Sequence, residues 1–101
     1  MFEVSVYYNT TAFAMLNGYK EGDWFNRVAT VLCNQADVFH CAERVLIDMQ
    51  EPENKPLLRS MSVGDVLCVR YCLGDGLCTT GIWLACARQG FTLIDQPRYI
   101  R

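Results

Sequence analysis

Six of the 101 residues are cysteines: Cys33, Cys41, Cys68, Cys72, Cys78 and Cys86, with the single histidine, His40, beside the second. Thiolate and imidazole are zinc donors, but zinc sites present paired ligands two to four residues apart on a tight knuckle. The chain has no Cys-x-x-Cys. Cys68 and Cys72 share one face of a strand and fall roughly 13 Å apart at about 3.3 Å per residue, too far to share an ion. Cys72 and Cys78 can meet across a hairpin, with Cys86 as a third candidate. His40 and Cys41 are neighbours on a helix, where adjacent side chains point about 100° apart. The spacing predicts no metal site and no cofactor.

Nucleophilic catalysis needs an activated group, a base and an orienting partner. His40 falls near a helix start, where the dipole disfavours imidazolium. Cys41 belongs to the apolar stripe of that helix, and a buried thiol is a poor nucleophile. Ser60 or Ser62 with His40 and Asp65 has no supporting spacing, and serines flanking a turn more often cap backbone. Gly74-Asp75-Gly76 joins two strands and is acidic, unlike a phosphate cradle that opens a helix. No catalytic residue is assigned, and the expectation is a protein that is not an enzyme.

Two other groups of residues are informative. Trp24 and Phe25 follow a Gly22-Asp23 turn in what reads as a loop, where aromatic side chains serve as binding anchors. Trp83 lies on a strand whose two faces are both apolar, Trp83, Ala85 and Ala87 against Ile82, Leu84 and Cys86. These three aromatics are the candidate binding residues. The second group is Arg59-Ser60-Met61-Ser62-Val63-Gly64-Asp65-Val66. In this box Ser60 can cap a helical turn over Met61 to Val63, Gly64 can leave it with positive φ, and Asp65 can hold the bend. Arg59, Ser60, Ser62, Gly64 and Asp65 are therefore read as structural.

The box resembles an Arg-Ser-x-Ser-Val-Gly-Asp-Val motif in small proteins of actinobacteria, their phages and their mobile elements, and more distantly YodL-like modules of mobile-element polyproteins. The resemblance also takes in Arg27-Val28-Ala29-Thr30-Val31, the helix near Phe39 to Met49, and Gly90-Phe91, about the last three-quarters of the chain. Asp48-Met49-Gln50-Glu51-Pro52 departs from the Asn-rich helix end of that group. The resemblance implies a phage or mobile-element accessory protein and carries no catalytic residues.

The elements that must position these residues read as one α+β domain over residues 1–101. Phe2, Val4, Val6 and Tyr8 alternate with Glu3, Ser5 and Tyr7, which predicts a half-buried strand. Asn9-Thr10-Thr11 offers cap chemistry for a short helix over Ala12 to Leu16, and Gly18 to Asn26 reads as loop. Arg27 to Cys33 predicts a second strand. The stripe Val38, Cys41, Ala42, Val45, Leu46 and Met49 predicts a long helix capped by Asn34 or Asp37 and running to about Gln50. Pro52 and Pro56 end it and hold an extended connector. Residues 66–72, 81–87 and 91–95 predict three further strands, and Pro97 ends regular structure. The expected architecture is a single mixed or antiparallel sheet of about five strands, with one long helix packed on one face and a C-terminal three-stranded meander. A small curved barrel is the alternative.

Composition narrows the partners. Acidic and basic residues are interspersed at a net charge of −2, with only two lysines, Lys20 and Lys55. That disfavours binding to nucleic acid through its phosphates. No apolar run reaches the roughly 20 residues of a membrane span, and Met1-Phe2-Glu3-Val4 lacks a basic start. The expected location is cytoplasmic, the host cytoplasm if the protein is viral, where thiols stay reduced and no disulfide is expected. The expected function is a non-enzymatic protein-interaction module acting on a host protein. The apolar second face of the 66–72/81–87 hairpin predicts a homodimer. The alternatives are a Cys-dependent metal-binding domain or small enzyme, and a nucleic-acid-associated regulator.

Overall fold

In the computed structural model, which describes residues 1–50 and 59–101, the strict alternation at the start of the chain becomes strand β1, Phe2–Asn9. A long loop carrying helix α1, Ala14–Asn17, leads to β2, Trp24–Cys33. Helix α2, Val38–Asp48, follows, and then β3, Val66–Tyr71, β4, Ile82–Cys86, β5, Phe91–Ile94, and β6, Tyr99–Ile100. One curled sheet contains all six strands in the order β5-β4-β3-β1-β2-β6. Every neighbouring pair is antiparallel except β2 and β6, which run parallel. β1 is thus a central strand, with a bulge between Val6 and Tyr7 in its pairing with β2.

The expected architecture is corrected on two counts. The mixed sheet has six strands rather than about five, and there is no long helix among the described residues. The sixth strand arises after Pro97, where Tyr99 pairs with Trp24 and Ile100 with Phe25. A two-residue parallel pairing leaves no periodic trace in sequence. α2 has eleven residues, capped by Asp37, whose side chain accepts a hydrogen bond from the His40 N–H. At 1.5 Å per residue it is about 16 Å long, enough to cross three or four strands at about 4.8 Å spacing. It packs on β1, β2 and β3. The connector expected at Pro52 and Pro56 lies outside the described residues.

Two cores result. The larger joins Val4, Val6 and Tyr8 of β1 to Leu67, Val69 and Leu84 of the neighbouring strands, under Cys41, Ala42, Val45 and Met49. Met61, at 1% exposure, closes this core from the box. The smaller core lies on the opposite face, where Phe25, Val66 and Ala85 are buried beneath Tyr7, Tyr19, Trp83 and Ile94. Tyr19 belongs to the loop between β1 and β2, so the chain itself covers one end of the second face. No helix among the described residues is long and apolar enough to cross a membrane.

Candidate functional site

The carboxylate of Asp65 organises the box. It is wholly buried, and each oxygen takes two donors. Oδ1 accepts from the Asn9 N–H at 2.8 Å and from Arg59 Nη2 at 2.7 Å. Oδ2 accepts from the Ser62 N–H at 2.8 Å and from Arg59 Nη1 at 2.7 Å. The Arg59 fork is bidentate, the strong geometry for an ion pair. Its guanidinium lies 4.1 Å above the Tyr8 ring, and the Tyr8 hydroxyl donates to the Arg59 carbonyl at 2.7 Å. Burial, then the Asp65 charge, raises the Tyr8 phenol above its ordinary pKa against the lowering effect of Arg59. The hydrogen bond to Asp65 holds the Arg59 guanidinium even more firmly protonated.

The box does not form the expected helical turn over Met61 to Val63. The Asp65 N–H donates to the Ser62 carbonyl at 3.1 Å, closing a four-residue turn with Gly64 in its third position at φ 94°. That is the position at which a type II turn requires positive φ. Ser60 contributes its carbonyl, which accepts from Arg59 Nη1 at 3.0 Å, rather than a hydroxyl cap. The Gly64 N–H and the Asp65 carbonyl both pair with Cys86, tying the turn to β4. A Cβ on Gly64 would sit 3.0 Å from the Ala14 carbonyl oxygen, so the glycine also lets α1 approach.

From the other side, Asn9 and Asp23 hold residues 10–23 as a closed loop. Asn9 Nδ2 donates to Asp23 Oδ2 at 2.8 Å and to the Gly64 carbonyl at 3.0 Å. Asn9 Oδ1 accepts from the Thr11 N–H, and Asp23 Oδ2 from the Lys20 N–H, both at 2.9 Å. Asn9-Thr10-Thr11 does not cap α1 as expected, since the N-cap is Phe13 with no side-chain hydrogen bond. Instead the two threonine hydroxyls bond the Trp24 carbonyl and N–H and close the loop at its neck. Compact surface loops with their ends pinned in this way frequently carry function.

The crown of this loop is apolar. Phe13 has φ 63°, a left-handed conformation rare for an aromatic residue. Its side chain is 72% exposed, beside Met15 at 60% and Leu16 at 66%. Ala14 alone faces inward. A cleft of about 420 Å³ runs between this crown and the box, with Asn9, Arg59 and Asp65 in its wall. A second, of about 350 Å³, lies on the far side of Leu16 and Val63, lined by Tyr19, Arg88 and Ile94. Residue type and spacing give Asn9 and Asp23 only as cap and turn residues and do not mark Phe13, Met15 or Leu16 as exposed. An Asn closing a strict alternation and an Asp after Gly22 were the available signals.

The residues expected to bind are dispersed. Phe25 is wholly buried in the smaller core and cannot act as a surface anchor. Trp24 begins β2 rather than lying in a loop. It is 43% exposed, stacked on Tyr99 at 4.6 Å with the Arg101 guanidinium 4.9 Å from its ring centre. It therefore clasps β6. Trp83 is partly buried, 5.1 Å from the Tyr7 ring, beside a groove of about 290 Å³ that also exposes Arg27 and Arg70.

The thiols and the histidine depart from expectation at two points. Cys72 and Cys78 form a disulfide, correcting the expectation of none. The turn around Gly74 to Gly76 places them opposite one another in an antiparallel bridge. Cys33, Cys41, Cys68 and Cys86 are free and buried. Burial, then the neighbouring Cys33 thiol, pushes Cys41 up to about 11, so it remains a thiol at neutral pH. His40 is exposed, with Nδ1 2.9 Å from Asp37 Oδ2. That bond raises its pKa, where the helix dipole alone predicts a decrease. Comparison with protein-family models, curated proteins and solved structures gives no match.

Proposed function

We propose that this chain is a small non-enzymatic protein-interaction module, a phage or mobile-element accessory protein acting on a host protein in the cytoplasm. One observation carries the reading. Phe13 is held in a strained backbone conformation and yet its side chain contributes little to packing, at 72% exposure. Strain of this kind persists where surrounding structure enforces it, and it clusters at working surfaces. Here the enforcing structure is the Asp65–Arg59–Asn9 network, which seats Ala14 and turns Phe13, Met15 and Leu16 outward. Phe and Met are enriched at protein interfaces, and large apolar side chains grouped on one exposed crown mark an interaction surface. The host and mobile-element part of the reading rests on the resemblance of the box. Affinity capture from an actinobacterial lysate tests it. Wild-type protein should retain a discrete partner that the Met15→Glu/Leu16→Glu variant loses. Identical retention by both would remove the crown from the account.

Self-association belongs to the same proposal and rests on a different surface. Tyr19 and Ile94 cover one end of the second sheet face, while Tyr7 and Trp83 remain partly exposed at the other. We place the homodimer contact there. Light scattering should give a dimer mass that Trp83→Glu reduces to the monomer. A monomeric wild type would refute the dimer.

A further inference from the structure

Glu3 of β1 projects from the same sheet face as Arg70 of β3, its direct cross-strand partner. Cys72 follows two residues after Arg70, and the bridge to Cys78 brings both sulfur atoms to this edge. One carboxylate oxygen of Glu3 and the two sulfurs all lie within 4.8 Å of one another. The backbone fixes the group from several sides. The Cys72 N–H donates to the Met1 carbonyl at 2.8 Å, and the Leu73 N–H to the Leu77 carbonyl at 2.7 Å. The Tyr71 N–H and carbonyl are both taken by Thr79. Cys78 is exposed, and Cys72 and Glu3 are half-buried, so an ion and a reductant can reach the group.

We propose that Glu3, Cys72 and Cys78 form a redox-gated site for a thiophilic divalent ion of the zinc class. A thiol reductant supplies two electrons and two protons, the sulfur–sulfur bond breaks, and Cys72 and Cys78 become thiols. The incoming ion then displaces the two thiol protons to solvent and takes two thiolates and one carboxylate oxygen. Two thiolates and a carboxylate make a donor set that zinc accepts, with a fourth position left to water. Soft thiolates discriminate against magnesium and calcium, which prefer oxygen. Arg70 Nη2 is paired with Oε1 of Glu3. It orients the carboxylate, as outer partners of metal ligands commonly do. The local chain separation, Cys-x5-Cys, is wider than a zinc knuckle, which is why spacing alone argued against a metal. The third ligand comes from β1, 69 positions before Cys72 in sequence, and only the sheet register brings it near.

Cobalt(II) is the probe, because thiolate coordination gives it an intense charge-transfer absorption. The full chain is reduced with a dithiol, freed of reductant without air, and titrated. The expected result is thiolate-to-cobalt absorption saturating at one equivalent, displaced by zinc, and absent when the same protein is left oxidised. Cys72→Ser and Cys78→Ser should each abolish it. Glu3→Gln should weaken binding by about tenfold or more, and Cys33→Ser should leave it unchanged. Near-ultraviolet circular dichroism verifies that each variant is folded, and the oxidised-against-reduced comparison needs no variant at all. Absence of the absorption in reduced wild-type protein overturns the proposal. So does its persistence in either Cys72→Ser or Cys78→Ser, or an affinity unchanged by Glu3→Gln.

Discussion

Asp65 shows how one side chain can decide a local structure. It is 1% exposed and makes four hydrogen bonds, two of them to Arg59. Removing one member of a fully buried ion pair costs about 3–5 kcal/mol because the other charge is stranded. Arg59 is 40% exposed, so water compensates in part. Arg59→Ala should therefore cost roughly 2 kcal/mol, read as a lower urea midpoint with unchanged slope. Gly64→Ala should cost about 1 kcal/mol or more, because alanine is strained at positive φ and its Cβ would press on the Ala14 carbonyl. It should also loosen α1, seen as faster amide exchange at Leu16 and Asn17. The glycine and the acid in the box were legible as turn chemistry from residue type alone. Their long-range partner Asn9 was not, because a hydrogen bond spanning more than fifty residues leaves no local pattern, and neither was the close approach of Ala14 to Gly64.

At the scale of elements, α2 depends on its first turn. Asp37 accepts the His40 N–H at 2.9 Å, and its other oxygen lies 2.9 Å from His40 Nδ1. The backbone hydrogen bond from His40, and then its side-chain bond, lower the Asp37 pKa. The bond to Asp37 raises that of His40. A lowered acid stabilises above its unfolded value and loses that effect as pH falls through the folded one. A raised base stabilises below its unfolded value and loses that effect as pH rises through the folded one. Both contributions are complete between the ordinary values of 3.8 for Asp37 and 6.5 for His40. Asp37→Asn keeps a good cap but removes the charge. It should return the His40 titration, followed by NMR, towards 6.5. An unmoved titration would contradict the pairing. β1 was legible because Phe2, Val4, Val6 and Tyr8 face the larger core while Glu3, Ser5 and Tyr7 face the other side, so apolar and polar residues alternate. The start of β2 was not, because Trp24 and Phe25 follow a turn signal and their pairing to β6 has no period. The extent of α2 was overread by about two residues, since Met49 continues the apolar stripe but is the C-cap, its N–H closing the last turn onto the Val45 carbonyl.

Across the whole molecule, cysteine use divides by position. Three thiols, Cys33, Cys41 and Cys86, fill the larger core, Cys68 is buried beside the groove at Trp83, and Cys72 and Cys78 join the ends of the turn after β3. Air-oxidised protein, denatured without reductant, should therefore expose four titratable thiols, and reduced protein six; six in both would deny the Cys72–Cys78 bond. The remaining architecture serves the loop of residues 10–23. β1 and β3 bring Asn9 and Asp65 together, β4 anchors the intervening turn, and the resulting seat holds an apolar crown in solvent. Phe13 is displayed rather than packed, at a cost in backbone strain. Chemical denaturation of Phe13→Gly tests that without knowledge of any partner. Glycine accepts positive φ freely and loses only an exposed ring, so stability should hold or rise by up to about 1 kcal/mol. A loss of about 2 kcal/mol or more, the size expected for a packed side chain, would show that Phe13 supports the fold and would contradict the account.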